Sequence, residues 1–252
     1  MPERFQVKMY SDGILINNTA KTIAPYLFEW YPGTPDGLNY IPQKKIEWWL
    51  TELEKIGYGA HIHTIGDMAV RESLNAIEAV RSKGSLNSYT LTHLEMVDQR
   101  DIPRFVKLDV TADFQLGGDL GEDQNHSWAY PYIGEKRAHK MLPMRPIFDT
   151  GANVTLSSDW DVNPLSPLAS ISNTVALKDR GMPDVFAAID AYTIHAAEAL
   201  GLVNITGSIE VGKSADFVWL NKDITKLSPQ QIKQAKVLMT ILEGQIVFQA
   251  RE

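Results

Sequence analysis

Four short runs in this chain alternate apolar and polar residues, and each run ends on a polar side chain. That arrangement restricts the fold more than any other feature. Phe5, Val7 and Met9 oppose Gln6, Lys8 and Tyr10, and Ala60 and Ile62 oppose His61 and His63. Likewise Ala112 and Phe114 oppose Asp113 and Gln115, while Val154 and Leu156 oppose Thr155, Ser157 and Asp159. A period of two marks a strand whose faces meet different surroundings. Stretches of helical period separate the runs, which is the rhythm of βα units around a parallel sheet. In a barrel of such strands one face packs on outer helices and the other points inward, with active sites at the C-terminal ends. A fifth run, residues 89–94, fits less well, since Thr90 and Thr92 would then face the helices.

Helical spacing predicts a helix over 43–56, with Ile46, Trp49, Leu50, Leu53 and Ile56 on one face and Gly57 as its stop. A second helix follows Gly66-Asp67, with Asp67 as its cap, a stripe of Val70, Leu74, Ile77 and Val80, and a stop at Gly84. Residues 117–146 read as a long access loop. Further helices are expected over 167–178 and 184–200. The aromatic stretch 26–31 reads as a hydrophobic cover. Beyond Gly207 the pattern turns to strands and turns, including a hairpin at Glu243-Gly244-Gln245. We therefore expect an α/β fold in two parts: a partial TIM-type (β/α) barrel over 1–206 and a small β segment over 207–252.

The bulk composition narrows the chemistry. With 252 residues and 44% hydrophobic content the chain can bury a substantial core. A net charge of −7 argues against nucleic acid or an anionic membrane as partner. The absence of cysteine excludes disulfides, thiolate zinc sites and cysteine nucleophiles. It leaves the compartment open between cytoplasm and periplasm. No Gly-x-Ser-x-Gly elbow supports a serine hydrolase.

What remains is a set of polar residues at strand ends. A hydrolytic metal site needs neutral imidazoles and carboxylates that leave one coordination position for water. His63, His93 and Asp159 supply those types from separate strands, with Gln115 a possible neighbour. Lys8 joins them if carbamylated by CO2, because its ammonium then becomes a metal-binding carboxylate. Taken singly, each residue reads as a packed histidine, a turn aspartate or an edge charge. Together, in order, they point to one site.

The motifs resemble those of a known family. HTIGDMAV (residues 63–70) closely resembles the His-x-Ile-Gly-Asp-x-Ala-Val motif of the amidohydrolase superfamily, in the family 3 branch of N-substituted formamide deformylases and exoenzyme-regulatory proteins. VKMYSDG looks like the carbamylated-lysine strand, LTHLEMV like the second single-histidine strand, and SSDWDVNPLSPL like the segment with the catalytic aspartate. YTIHAAEALGL and GSIEVGKSADFVWL resemble the tail that enters the family's β-sandwich. The resemblance implies Lys8, His63, His93 and Asp159 as metal-site residues. Asp159 would contact the metal-bound water, act as general base and pass its proton to the leaving nitrogen. It also implies a divalent metal, zinc first, whose water ionises near pH ~7, and a small-molecule N-acyl or N-formyl amide as substrate. His61 shares the His63 face as a substrate or supporting contact, and Arg137 is a further candidate for substrate contact.

By the family order these strands correspond to the fourth to eighth of the barrel. The early His-x-His strand and the leading half of the sandwich are not found here. Trp160-Asp161 replaces the small residue and proline usual after the catalytic aspartate. A five-strand remnant leaves open edges that attract pairing, so the chain is expected to be part of a longer protein or a homo-oligomer. The isolated chain is expected to bind metal weakly and hydrolyse little. The alternative is a non-catalytic regulatory or binding remnant of the fold.

Overall fold

The computed structural model describes residues 5–251. In chain order it forms β1 (Gln6–Tyr10), α1 (Gln43–Glu54), β2 (Gly59–Thr64), α2 (Asp67–Arg81), β3 (Tyr89–His93), α3 (Ile102–Lys107) and β4 (Val110–Gln115). Four short helices follow: α4 (Asp119–Glu122), α5 (Tyr130–Ile133), α6 (Glu135–Ala138) and α7 (Met144–Phe148). After β5 (Val154–Ser157) come α8 (Pro167–Ala176), α9 (Val185–Tyr192), α10 (Ile194–Ala199), β6 (Phe217–Leu220), α11 (Pro229–Ile232), β7 (Val237–Leu242) and β8 (Gln245–Gln249). Strands β1 to β5 lie in chain order in one sheet, and β6 to β8 form a second. The α/β architecture with a separate small antiparallel sheet therefore agrees with the sequence reading. The described residues divide into two compact units, one of residues 5–114 with 123–154, the other of 115–122 with 155–251.

In the first unit the ladder is parallel and regular from β1 through β4. Helices α1 and α2 pack on each other and on β2. They bury Ile46, Leu50 and Leu53 from α1 and Val70, Leu74, Ile77 and Val80 from α2 against Ala60, Ile62 and Leu91. Two members of the expected α1 stripe fall outside this core. Trp49 is exposed beside Trp48, whose ring lies 3.9 Å from Lys45 Nζ, and Ile56 lies beyond the helix end. The expected apolar face of β1 also shows only Met9 buried, with Phe5 and Val7 exposed, because β1 is the sheet's edge and the helices cover its neighbour.

Three further expectations change. Asp67 does not cap α2: the N-cap is Gly66, and Asp67 Oδ1 instead accepts the Ile23 N–H at 2.7 Å. The span 117–146 is not an open loop but carries the four short helices, tightened by turns such as Asp123 Oδ2 accepting Ser127 N–H at 2.6 Å. The helix expected over 184–200 breaks at Thr193, whose φ of −121° and ψ of −92° leave helical space. The Thr193 hydroxyl donates back to Ile189 O at 2.8 Å, a competition that commonly bends helices.

Asp101 fixes α2 to α3. Its buried carboxylate accepts from Arg71 at 2.8 and 2.9 Å and from Arg104 at 2.9 Å. Asp101→Ala removes these charge-assisted bonds, although Arg71 keeps Asp98 at 3.2 Å and Arg104 keeps Glu78 at 2.9 Å, and is expected to cost about 2 kcal/mol. The exposed Arg100→Ala should cost no more than ~1 kcal/mol. Urea unfolding of both variants measures the contrast, and equal midpoints would refute the assignment.

In the second unit α8 packs on α9 and α11, and α9 on α10. Asp184 Oδ1 caps α9 by accepting the Ala187 N–H at 2.9 Å. Strands β7 and β8 meet at a two-residue turn, with φ of 51° at Glu243 and 76° at Gly244. Positive φ at both central residues defines the type I′ hairpin turn, which asks for glycine. Val218 and Trp219 of β6 and Ile246, Val247 and Phe248 of β8 are exposed, so this sheet shows apolar side chains on both faces.

Candidate functional site

Register-paired residues of a parallel ladder project to the same face. The ladder therefore lays the polar residues of the first unit in two rows across the sheet. Lys8, His61, Thr90 and Thr111 form one, and Tyr10, His63, Thr92 and Asp113 form the other, one step nearer the strands' C-terminal ends. The threonines that seemed misplaced in the sequence thus lie in the polar rows. Thr92 Oγ1 donates to Asp113 Oδ2 at 2.8 Å. Lys8 Nζ sits 5.4 Å from the Tyr10 ring centre, and Tyr10 leans on His63 with ring centres 5.0 Å apart.

His93 is the exception that completes the group. Its register partner is Thr64, which would send it to the opposite face. However, His93 has φ 77° and Leu94 φ 52°, and this left-handed turn ends the strand alternation. The imidazole lies edge-on to that of His63, with ring centres 4.4 Å apart.

The His63 ring is held in one tautomer. Its Nε2 lies 2.9 Å from Gly13 O, and a carbonyl only accepts, so Nε2 carries the proton and Nδ1 the lone pair. Burial, aided by the Lys8 charge, pushes His61 down to about 4, so this ring is neutral at physiological pH. Two adjacent imidazoles are donors of the right type for a divalent transition metal. Among the described residues, no group of three or more His, Cys, Asp or Glu converges as a cation site. The pair fits such a metal by donor type, and Lys8 would add an oxygen donor only as a carbamate.

Asp159 belongs to the second unit. It lies two residues past β5, exposed, with φ 49°, and its carbonyl accepts the Val162 N–H at 2.8 Å in a tight turn. In the same unit buried Gln115 donates Nε2–H to Ser157 Oγ at 2.7 Å. In the first unit Arg137 gives its guanidinium to backbone carbonyls: Ile133 O at 2.6 Å, Ala24 O at 2.7 Å and Pro25 O at 2.7 Å. It ties the aromatic stretch to α6, so its geometry is that of a clamp.

Two acidic residues escaped the sequence reading. Asp12 is fully buried, and its Oδ2 accepts the N–H groups of Gly66 at 2.8 Å and Lys21 at 2.9 Å. Its Oδ1 accepts Ile65 N–H at 3.0 Å and lies 3.7 Å from His63 Nε2. Burial drives its pKa to about 7 despite these bonds. Glu95, also buried, is pushed up to about 8 by burial and then by the charge of Asp12. Its Oε2 has no hydrogen-bond partner among the described residues. The only sequence signal was position: Asp12 precedes Gly13 after the lysine strand, and Glu95 follows His93 by two.

A sequence model of the amidohydrolase family matches residues 4–248 of the chain. The chain belongs to the amidohydrolase family. Within it, the N-substituted formamide deformylase of Arthrobacter pascens is 28% identical over 84% of this chain and 41% of its own length. YtcJ of Bacillus subtilis is 25% identical over 96% of this chain and 47% of its own length. This amidohydrolase chain thus spans less than half of these relatives. A solved metal-dependent hydrolase from Pyrococcus horikoshii, itself uncharacterized, superposes with a TM-score of 0.77 over 90% of this chain and 46% of its own, at 21% identity, a likeness of fold. The resemblance read from HTIGDMAV and its companion motifs is therefore correct at the level of the family.

Proposed function

We propose that this amidohydrolase chain carries part of the site of a metal-dependent hydrolase that cleaves a C–N bond in an N-acyl or N-formyl amide. The carrying observation is the pair of imidazoles, His63 and His93, brought edge to edge at the C-terminal ends of β2 and β3. His63 and His93 would hold a divalent metal, zinc first, and Lys8, two residues before the end of β1, would add a carbamate oxygen. When bound, the metal supplies a Lewis acid and a water ionisable near neutral pH.

The chain's own residues set the rest. The Gly13 carbonyl fixes the His63 tautomer, so the ring meets a ligand through Nδ1. Neutral His61, in the row behind, offers a polar contact without adding positive charge. Asp159 takes the proton of the attacking water and returns it to the leaving nitrogen, so an amine rather than an amide anion departs. Two imidazoles are fewer donors than a tight site needs, so we infer weak metal binding and slow turnover by this chain alone. For the same reason we infer that it works within a longer protein or beside a second copy.

The test is formate release from an aryl formamide by the chain in excess zinc. Slow, chelator-sensitive release is expected, and Asp159→Asn should lower it by about 100-fold or more. Release that survives both chelation and Asp159→Asn would overturn the proposal.

A further inference from the structure

Strand β1 ends at Tyr10, and the next three residues close on His63 from two sides. Ser11 donates its N–H at 3.1 Å and its hydroxyl at 2.7 Å to the His63 carbonyl. The Gly13 carbonyl accepts from the ring Nε2 at 2.9 Å. Between them the buried Asp12 carboxyl accepts three backbone N–H groups. Two of these, from Ile65 and Gly66, belong to the turn that follows β2, two and three residues after His63. The third, from Lys21, belongs to the loop that Gly13 opens. Asp12 thus ties the residue before Gly13 to the strand end that carries His63. Position 13 itself admits no side chain, because a Cβ there would run into Thr19 and lie 2.7 Å from the Tyr40 hydroxyl oxygen.

Both oxygens that approach Nε2 are acceptors. Gly13 O stands at 2.9 Å and Asp12 Oδ1 at 3.7 Å, the second too far for a hydrogen bond but near enough to act by charge. A lone pair on Nε2 would be repelled by both, whereas a proton there is attracted by both. Moving the proton to Nδ1 would therefore break one bond and set like charges face to face.

We propose that Asp12 is the positioning residue of His63: it pins the Gly13 carbonyl to Nε2 and holds the ring proton there, so that Nδ1 is presented to a metal. The last clause rests on the metal-site reading; the tautomer itself does not. Lys8 and this cradle lie within six residues, so one strand end would supply a ligand and also orient another.

The experiment is a long-range proton–nitrogen correlation spectrum of the whole metal-free chain with isotope-labelled histidine. It is run at about pH 8.5, where an imidazole of ordinary pKa ~6.5 is neutral. His63→Gln identifies the His63 signals, which should show a protonated Nε2 and a lone pair on Nδ1. Asp12→Asn keeps the size and, with its oxygen kept toward Gly66 and Lys21, sets an amide donor where Oδ1 stood. It should move part of the population to the Nδ1–H form and weaken zinc binding about 10- to 100-fold. Asp67→Asn is the control for loop anchoring alone, since Asp67 holds the same loop at Ile23, and it should leave the tautomer unchanged. A parent ring that is mixed or protonated at Nδ1 would overturn the proposal, and that spectrum needs no variant to fold. So would an Asp12→Asn ring that keeps the parent tautomer, or an equal shift in Asp67→Asn. A fixed Nε2–H tautomer in a chain that takes up no zinc removes the metal-site reading alone. Zinc uptake by a parent of mixed tautomer removes this inference alone.

Discussion

Replacing His63 and His93 together by alanine is expected to abolish zinc uptake by this chain, with the fold retained. The two rings touch at 4.4 Å and are the donors that the first unit brings together at the strand ends. Loss of a residue that merely supports a ligand typically weakens metal binding about 10- to 100-fold, so loss of a ligand should exceed that. Each single variant should therefore weaken binding by more than about 100-fold. His61→Ala, from the row behind, should stay within about that range. Competition against a chromophoric chelator reads the affinity, and far-ultraviolet circular dichroism checks the fold. A double variant that takes up zinc like the parent would place the metal elsewhere.

The second large effect concerns stability against pH. Metal-free protein with Glu95→Gln is expected to be more stable than the parent at pH 8.5, by about 2 kcal/mol, with the difference gone near pH 4. In the fold Glu95 titrates near 8 instead of 4.5, and Asp12 near 7 instead of 3.8. Between those values the folded chain binds more protons than the unfolded one, so stability falls as pH rises. The contribution is intact below about pH 4, erodes across the interval and is fully lost above about 8. A glutamine cannot ionise, so the variant escapes the Glu95 share, while Asp12 keeps a smaller slope below about pH 7. Urea unfolding at pH 4, 6 and 8.5 measures the gap. Parallel curves for the two proteins would show that Glu95 does not titrate as described.

Much of the fold was legible because strand faces and helix stripes are local patterns. Ala60, Ile62, Ala112 and Phe114 alternate as buried strands should, and Val70, Leu74, Ile77 and Val80 fall on one helical face as expected. The errors arise where non-local packing decides. Trp49 and Val7 are apolar, yet both stay exposed, and residues 117–146 gain their short helices from turn contacts that have no period to read. At the candidate site, Lys8, His61 and His63 could be placed on one face by counting. His93 could not, because counting by two fails where φ turns positive. Asp12 and Glu95 stayed hidden for another reason: a buried carboxyl and a solvated one look alike in sequence, and only the surrounding backbone distinguishes them.

The left-handed backbone at His93 also bears on protein engineering. Transplanting this histidine pair onto another parallel sheet by copying residue types at matched ladder positions would send the second ring to the wrong side. The graft has to carry the strand-ending bend of residues 93 and 94 as well, and its success should depend on whether the host tolerates that bend.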